Sequence, residues 1–456
     1  MNYAETLSYL FGLGHETLAI KLGLKNISLL LAKLGNPQQA FTSVQISGTN
    51  GKGSTAAMLD AICNSAGLKS GLYTSPHLTS ITERIRIAGE DISREEFAEH
   101  ATQVRTAAED LLIGSAIAAL PSFFEQVTAI ALLAFRKSNV AVAILETGMG
   151  GRLDATSAAE AQVVGITQIG LDHEEYLGES LTSIAREKAA TIRRGVLAVL
   201  APQEPDVMKV LLNQCVRSQV KPEIAGDNTK VEAVSDTGRF SVSFTTSRGR
   251  YENVRLALRG RHQIINAAVA TALAEGLERY GFPITTEAIV TGLETARHPG
   301  RLELFDTRPR YLLDGAHNTA GAIALREYLE RYMRGELTLV FGAMREKRLH
   351  EIAEVLFPTA QKLILTKPDN PRAASVELLE EIARKVKPNA EIWCVPEPQA
   401  ALQQARTCTP SDGVICITGS IYLVGELRNR IEGEVKTTSQ RDDHVKRLKA
   451  TDNRQR

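Results

Sequence analysis

Short apolar runs alternate along the chain with longer stretches in which apolar residues recur every three or four positions. Val140–Leu145, Val163–Ile169, Leu337–Phe341, Lys362–Thr366, Glu391–Val395 and Val414–Thr418 read as strands. Thr319–Met333 and Val376–Val386 read as helices between such strands. Val140-Ala-Val-Ala-Ile-Leu145 is apolar throughout, as in a strand buried on both faces. Alternation of this kind predicts an α/β class, parallel sheets covered by helices. Between residues 220 and 260 the runs shorten and Thr, Ser and Gly increase; Phe240–Phe244 and Val254–Leu258 read there as a small antiparallel sheet.

Pro299 and Gly300 follow a helical stretch that ends near Arg297. The pattern divides the chain into a domain over 1–297, a linker at 298–300, and a second βαβ series over 301–432 with a Rossmann-like rhythm. Residues 433–456 are dense in Lys, Arg, Asp and Thr and read as a disordered tail.

Composition changes this picture little and excludes several classes. The 456 residues are 43% hydrophobic and 23% charged, ordinary for two or three soluble domains. Lys and Arg (53) balance Asp and Glu (53), so the basic footprint of a nucleic-acid partner is missing. No apolar run approaches the roughly 20 residues of a membrane span. The first residues lack the basic and apolar regions of a signal peptide, so the expectation is a cytoplasmic protein without nucleic-acid or membrane partners. Five scattered cysteines without a C-x-x-C read as reduced thiols rather than a disulfide frame or zinc site.

The strongest chemical signal follows the strand Ser43–Ser47. Gly48-Thr-Asn-Gly51-Lys52-Gly53-Ser54-Thr55 leads into a helix with Met58, Leu59, Ile62 and Ala66 on one side. Glycines let backbone N–H groups approach phosphates, a helix N-terminus favours negative charge, and Lys52 supplies a cation. The domain therefore reads as a P-loop ATPase type with a mostly parallel sheet. The strict P-loop spacing wants a glycine where Ile46 stands, so the loop is a shorter variant. The bland alternative is a glycine-rich turn before a helix.

Glu146 opens Glu146-Thr-Gly-Met-Gly-Gly-Arg-Leu-Asp-Ala-Thr156 at the carboxyl end of a buried strand, where open α/β sheets bind ligands. A carboxylate there suits Mg²⁺. The competing readings are a turn cap or a dinucleotide fingerprint, the latter lacking its third glycine. His173 ends a second strand in the same layer, and Ser75 lies in Tyr73-Thr-Ser-Pro-His-Leu78 after the strand Ser70–Tyr73. Either completes a metal site or is an ordinary surface histidine and a Ser-Pro turn. Lys188, in Ile184-Ala-Arg-Glu-Lys188-Ala on a helix, reads from its own context as a surface lysine.

Taken in order, Ser-Gly-Thr-Asn-Gly-Lys-Gly-Ser (47–54), Thr-Ser-Pro-His-Leu (74–78), Thr-Glu-Arg-Ile-Arg (82–86), Phe-Phe-Glu (123–125), Glu-Thr-Gly-Met-Gly-Gly-Arg-Leu-Asp-Ala-Thr (146–156), Leu-Asp-His (171–173), Arg-Glu-Lys-Ala (186–189), Pro-Gly-Arg-Leu-Glu (299–303) and Asp-Gly-Ala-His-Asn (314–318) are specific together. Over residues 1–430 this resembles the folylpolyglutamate synthases and bifunctional dihydrofolate synthase/folylpolyglutamate synthases of the Mur ligase superfamily. The resemblance implies an ATP-dependent ligase, working as a monomer, that adds L-glutamate to a folate or to 7,8-dihydropteroate through an acyl phosphate. It implies that Gly48, Thr49, Asn50, Gly51, Lys52, Gly53, Ser54, Asn266, Arg301 and Asp314 hold ATP. Ser75, Glu146 and His173 would hold Mg²⁺, and Lys188 would carry CO₂ as a carbamate that supports a second Mg²⁺. Phe124, Leu153, Asp154 and Ala155 would line the pterin pocket, Ser420 would contact glutamate, and His317 would act in the cleft between the domains. Lys21 stands where the bifunctional enzymes often carry an acidic residue, and Arg345-Glu-Lys347 departs from a more acidic form. Two alternatives stay open: a related amide ligase with another carboxylate substrate, and a P-loop NTPase that is not a ligase.

Overall fold

Strand β1 (Thr42–Ser47) is the centre of the first sheet because almost every residue in it is buried, Gln45 and Ser47 included. In the computed structural model, which describes residues 1–14 and 23–435, the chain divides into two units, Met1–His298 and Pro299–Arg456. Lys21 and residues 436–456 lie outside the described residues.

Among the described residues of the first unit, β1 is joined by β2 (Ser70–Tyr73), β3 (Ile85–Ile87), β4 (Glu90–Asp91), β5 (Val142–Glu146), β6 (Val163–Ile166), β7 (Leu197–Leu200) and β8 (Glu223–Ile224). Their order is β4-β3-β2-β5-β1-β6-β7-β8, parallel except for β3 and β4. β5 and β6 flank β1 on opposite sides, so the loops leaving these three strands open at one switch point of the sheet. Helix Lys52–Ser65 packs Ala56, Met58, Leu59 and Ile62 inward, each about 1.5–3 kcal/mol for the larger side chains. Helix Thr286–Thr295 lies so close to it that a Cβ on Gly292 would fall 2.5 Å from the Ile62 backbone. That contact fixes the helix whose first turn carries the phosphate loop.

Strands β9 (Thr229–Val234), β10 (Phe240–Thr245) and β11 (Arg250–Arg255) form a separate antiparallel sheet. The expected strand Val254–Leu258 is displaced: pairing runs over Arg250–Arg255 and the chain leaves the sheet soon after. A register shift on β10 and a left-handed Asn253 break the simple alternation that placed it.

The second unit holds β12 (Glu303–Phe305), β13 (Arg310–Leu313), β14 (Leu337–Phe341), β15 (Lys362–Leu365), β16 (Glu391–Cys394) and β17 (Val414–Thr418) in the order β12-β13-β17-β14-β15-β16. All are parallel except β12. Its core runs through Leu312, Leu339, Phe341, Ile352, Leu363 and Val414. A helix over residues 421–435 continues past the expected start of the tail at 433. Its buried Leu423, Val424, Leu427 and Ile431 follow the helical period, which the surrounding charged residues conceal. No helix among the described residues is long and apolar enough to cross a membrane, and all five cysteines are free thiols.

Candidate active site

The loop after β1 is built for a ligand that brings its own negative charge. Gly51 precedes the helix Lys52–Ser65 in a left-handed conformation (φ 88°), and no side chain caps the helix's first turn. Asn266 fills the space where a Cβ on Gly51 would be, with its Oδ1 2.2 Å from that position. The loop is stitched to the next one: Thr49 and Asn50 N–H groups both donate to the Gln168 carbonyl (2.8 and 3.1 Å). Thr49 Oγ1 exchanges bonds with the Gly170 carbonyl and N–H, both 3.0 Å. Lys52 Nζ donates to the Thr49 carbonyl (3.0 Å), which folds its charge over the loop. Ser54 Oγ lies 3.2 Å from both Gln263 Nε2 and His298 Nδ1.

Glu146 is the last residue of β5 and is 6% exposed. Its Oε2 accepts the Ser75 N–H (3.2 Å), and its Oε1 is 3.4 Å from the position of a Cβ on Gly53. The Ser75 hydroxyl is buried without a hydrogen-bond partner. A carboxylate and an unsatisfied hydroxyl beside a phosphate loop are oxygen donors of the kind Mg²⁺ takes, so these residues fit that ion. His173 is placed differently from the expectation. β6 stops at Ile166, and His173 lies beyond the following loop, left-handed (φ 52°), before the short helix Glu174–Leu177. Its N–H donates to Asp172 Oδ1 (2.9 Å) and its Nε2 is 4.0 Å from the same oxygen. Among the described residues no three His, Cys, Asp or Glu side chains gather into a metal-sized group.

Lys188 overturns its surface reading. It is 4% exposed, and its Nζ donates to the Gly48 carbonyl (2.7 Å), at the base of the phosphate loop. Burial lowers its pKa to about 7, with Lys52 adding to the effect and Asp172 and Asp154 opposing it. The loop Glu146–Thr156 leans on the same helix: a Cβ on Gly151 would fall 2.8 Å from the Glu187 carbonyl and 3.2 Å from Lys188 Cα.

Phe124 crosses this loop, its Cζ 2.5 Å from the position of a Cβ on Gly148, with the Tyr73 ring centroid 6.1 Å away. Leu153 is half-buried and Ala155 buried beside it. Both Asp154 oxygens are engaged within the loop, by Met149 N–H (2.9 Å) and by Thr156 N–H (2.9 Å) and hydroxyl (2.6 Å). Burial raises the Asp154 carboxyl above its ordinary value, and these bonds partly offset that rise.

In the second unit, Asp314 at the end of β13 accepts the N–H groups of Leu302 and Ala316, each at 2.9 Å. The first bond holds Leu302 left-handed (φ 44°). Arg301 Nη1 lies 2.7 Å from the position of a Cβ on Gly315. Burial raises the Asp314 carboxyl, and the Arg301 charge pulls it back. His317 Nδ1 is 2.8 Å from the Gly315 carbonyl; a carbonyl only accepts, so Nδ1 carries the hydrogen. Ser420 is 2% exposed and accepts the Leu423 N–H (3.1 Å), so its hydroxyl starts the helix over 421–435. The neighbouring Gly419 N–H donates to the Ala316 carbonyl (3.2 Å), which brings Ser420 beside the 314–318 loop. Gln263 and His298 were not among the expected site residues; they stand more than two hundred positions from Ser54 and only the fold joins them.

The Mur ligase middle domain matches residues 46–274, and the Mur ligase glutamate ligase domain matches residues 300–421. Phosphate loop, parallel sheet and these two domains together make the chain an ATP-dependent ligase of the Mur type. A structure of Mycobacterium tuberculosis folylpolyglutamate synthase complexed with ADP superposes with TM-score 0.87 at 32% identity, over 94% of this chain and 97% of that one. Escherichia coli FolC in complex with DHPP and ADP gives 0.83 at 29% identity, over 95% and 98%. The Bacillus subtilis dihydrofolate synthase/folylpolyglutamate synthase is 32% identical, over 94% of this chain and 99% of its own. A longer Haloferax volcanii relative, described as folylpolyglutamate synthase/dihydropteroate synthase, is 33% identical, and this chain spans 50% of its length. The chain belongs to the folylpolyglutamate synthase/dihydrofolate synthase family.

Proposed function

We propose that the chain joins the amine of L-glutamate to a carboxylate of a folate, and of 7,8-dihydropteroate, as a cytoplasmic monomer that uses ATP and Mg²⁺. The observation that carries this reading is the convergence of Lys52, Glu146, Ser75 and buried Lys188 on one phosphate loop, in a chain of this family. A free carboxylate acylates poorly because oxide is its leaving group. In the first step a carboxylate oxygen attacks the γ-phosphorus, and ADP leaves. In the second, the glutamate amine attacks the acyl carbon and phosphate departs with the carboxylate oxygen.

Phosphoryl transfer asks the protein mainly for positioning and charge neutralisation. Gly48 to Ser54 cradle the phosphates, Lys52 lies over them, and Asn266 closes one side of the loop. Glu146 and Ser75 would hold Mg²⁺ with His173, and the bound ion would neutralise phosphate charge. Phe124, Leu153, Asp154 and Ala155 form the pterin side, with Asp154 shaping the turn. Arg301 and Asp314 serve ATP, and Ser420 serves glutamate. His317 takes the proton of the attacking amine: with Nδ1 holding its hydrogen, Nε2 of the neutral ring carries the lone pair. Lys188 has the property that carbamate formation needs, an amine that is uncharged for much of the time near neutral pH. Attack of the neutral amine on CO₂ forms an N–C bond, turns one C=O bond into a carboxylate C–O⁻ and releases one proton; counted from the ammonium, two protons leave and a cation becomes an anion able to support a second Mg²⁺.

The test is phosphate release with MgATP, L-glutamate and bicarbonate, using tetrahydrofolate or 7,8-dihydropteroate as acceptor. Release with both, and loss of it when glutamate is omitted, is expected. Release with tetrahydrofolate alone would confine the reaction to folates. Glutamate-independent hydrolysis would favour the plain NTPase instead.

A further inference from the structure

Ser54 is held by two side chains that the family motifs do not name, Gln263 and His298. Asn266 Nδ2 donates to Gln263 Oε1 (2.9 Å), which fixes the Gln263 amide so that its nitrogen faces away from Asn266. That nitrogen reaches Ser54 Oγ (3.2 Å) and His262 Nε2 (3.2 Å). His298 Nδ1 is also 3.2 Å from the hydroxyl, and the ring lies against the loop, its Cε1 2.7 Å from the position of a Cβ on Gly53. A serine hydroxyl has one hydrogen and two lone pairs. The Gln263 amide N–H donates into one lone pair of Ser54, and His298 Nδ1 takes the hydroxyl hydrogen in the tautomer that carries its own hydrogen on Nε2. The second lone pair is then the only valence of Ser54 directed by neither neighbour, and it suits an oxygen-seeking cation carried by a nucleotide.

We propose that His298 is a positioning residue that, with Gln263, sets the direction of the Ser54 hydroxyl and thereby the affinity of the phosphate loop for metal-bound nucleotide. This rests on the reading of residues 48–54 as the nucleotide loop. The sequence pattern placed His298 in a linker; the structure turns its side chain back into the first unit. Such a residue acts through Ser54, so its effect must vanish when the hydroxyl is gone.

The experiment is calorimetric binding of MgADP, and of ADP in EDTA, to His298→Phe, His298→Asn, Ser54→Ala and the double variant Ser54→Ala/His298→Phe. Phenylalanine keeps a ring against Gly53 but cannot accept the hydrogen; asparagine returns a polar atom near the Nδ1 position. Expected is a roughly three- to tenfold loss of MgADP affinity for His298→Phe, the scale of one hydrogen bond. His298→Asn should recover most of it, ADP in EDTA should bind as in the unaltered chain, and the phenylalanine should add nothing in the Ser54→Ala background. Unaltered MgADP binding by His298→Phe alongside weakened binding by Ser54→Ala overturns the proposal and leaves the nucleotide loop standing. An equal loss with and without the hydroxyl overturns it in favour of ring packing. Full affinity in Ser54→Ala overturns the proposal together with the role of Ser54 in that loop. Melting temperatures of the four variants separate these outcomes from unfolding.

Discussion

Replacing Lys188 by methionine is expected to lower ligase turnover by about two to three orders of magnitude, while ADP binding changes by only a few-fold. Methionine preserves the length and apolar stem of a side chain that is 4% exposed, so the fold is kept. It removes the amine that donates to the Gly48 carbonyl and on which a carbamate would form. Depleting bicarbonate and CO₂ should slow the unaltered enzyme reversibly and leave the residual rate of Lys188→Met unchanged. A surface lysine would show neither effect.

The same residue gives a pH signature of stability. Burial brings its folded-state pKa from 10.5 down to about 7, so between these values the unfolded chain binds the extra proton. Stability therefore rises with pH across that window, and below about 7 the burden of the buried charge is fully present. Melting temperatures of the unaltered chain relative to Lys188→Met, in CO₂-free buffer, should climb from pH 7 to pH 9. A flat difference would show that the amine does not titrate in this range.

Lys52→Ala has the second large effect. Its ammonium is the cation that the loop itself contributes, held over the phosphate position by the Thr49 carbonyl. Removing a charge aimed at developing negative charge commonly costs about 10²–10³ in rate. Lys52→Ala should fall by that amount in turnover, and Lys52→Arg should recover little, because a planar guanidinium does not fit where a compact ammonium sits. Steady-state phosphate release measures both; turnover of Lys52→Ala within threefold of the unaltered enzyme would remove Lys52 from the chemistry.

Much of the second unit is legible from apolar runs. Leu337–Phe341 and Val414–Thr418 are strands with the bounds their hydrophobic runs suggest, because strands buried on both faces read as nearly continuous apolar runs, broken here only by the buried Thr338 and Thr418. Val376–Val386 is a helix for the complementary reason, a strict apolar stripe on a charged background. Edges are harder: Val254–Leu258 misplaces β11, where only Tyr251 and Val254 turn inward and the rest face water. In the site, Gly48–Ser54 and Glu146 are readable because a local motif and a strand end carry them. Lys188 is not, since an Arg-Glu-Lys stretch looks solvated until the Glu146–Thr156 loop is laid across its helix. Gln263 and His298 are invisible for another reason: the hydroxyl they orient is contributed by a helix far away in the chain.

A ligase that activates its acceptor as an acyl phosphate moves an oxygen from the carboxylate to the released phosphate, and ¹⁸O makes that transfer visible. A folate acceptor labelled with ¹⁸O in its reacting carboxylate is turned over with MgATP and L-glutamate, and the released phosphate is analysed by mass. Each phosphate is expected to carry one oxygen from the carboxylate. Unlabelled phosphate that forms in step with product would rule out the acyl phosphate.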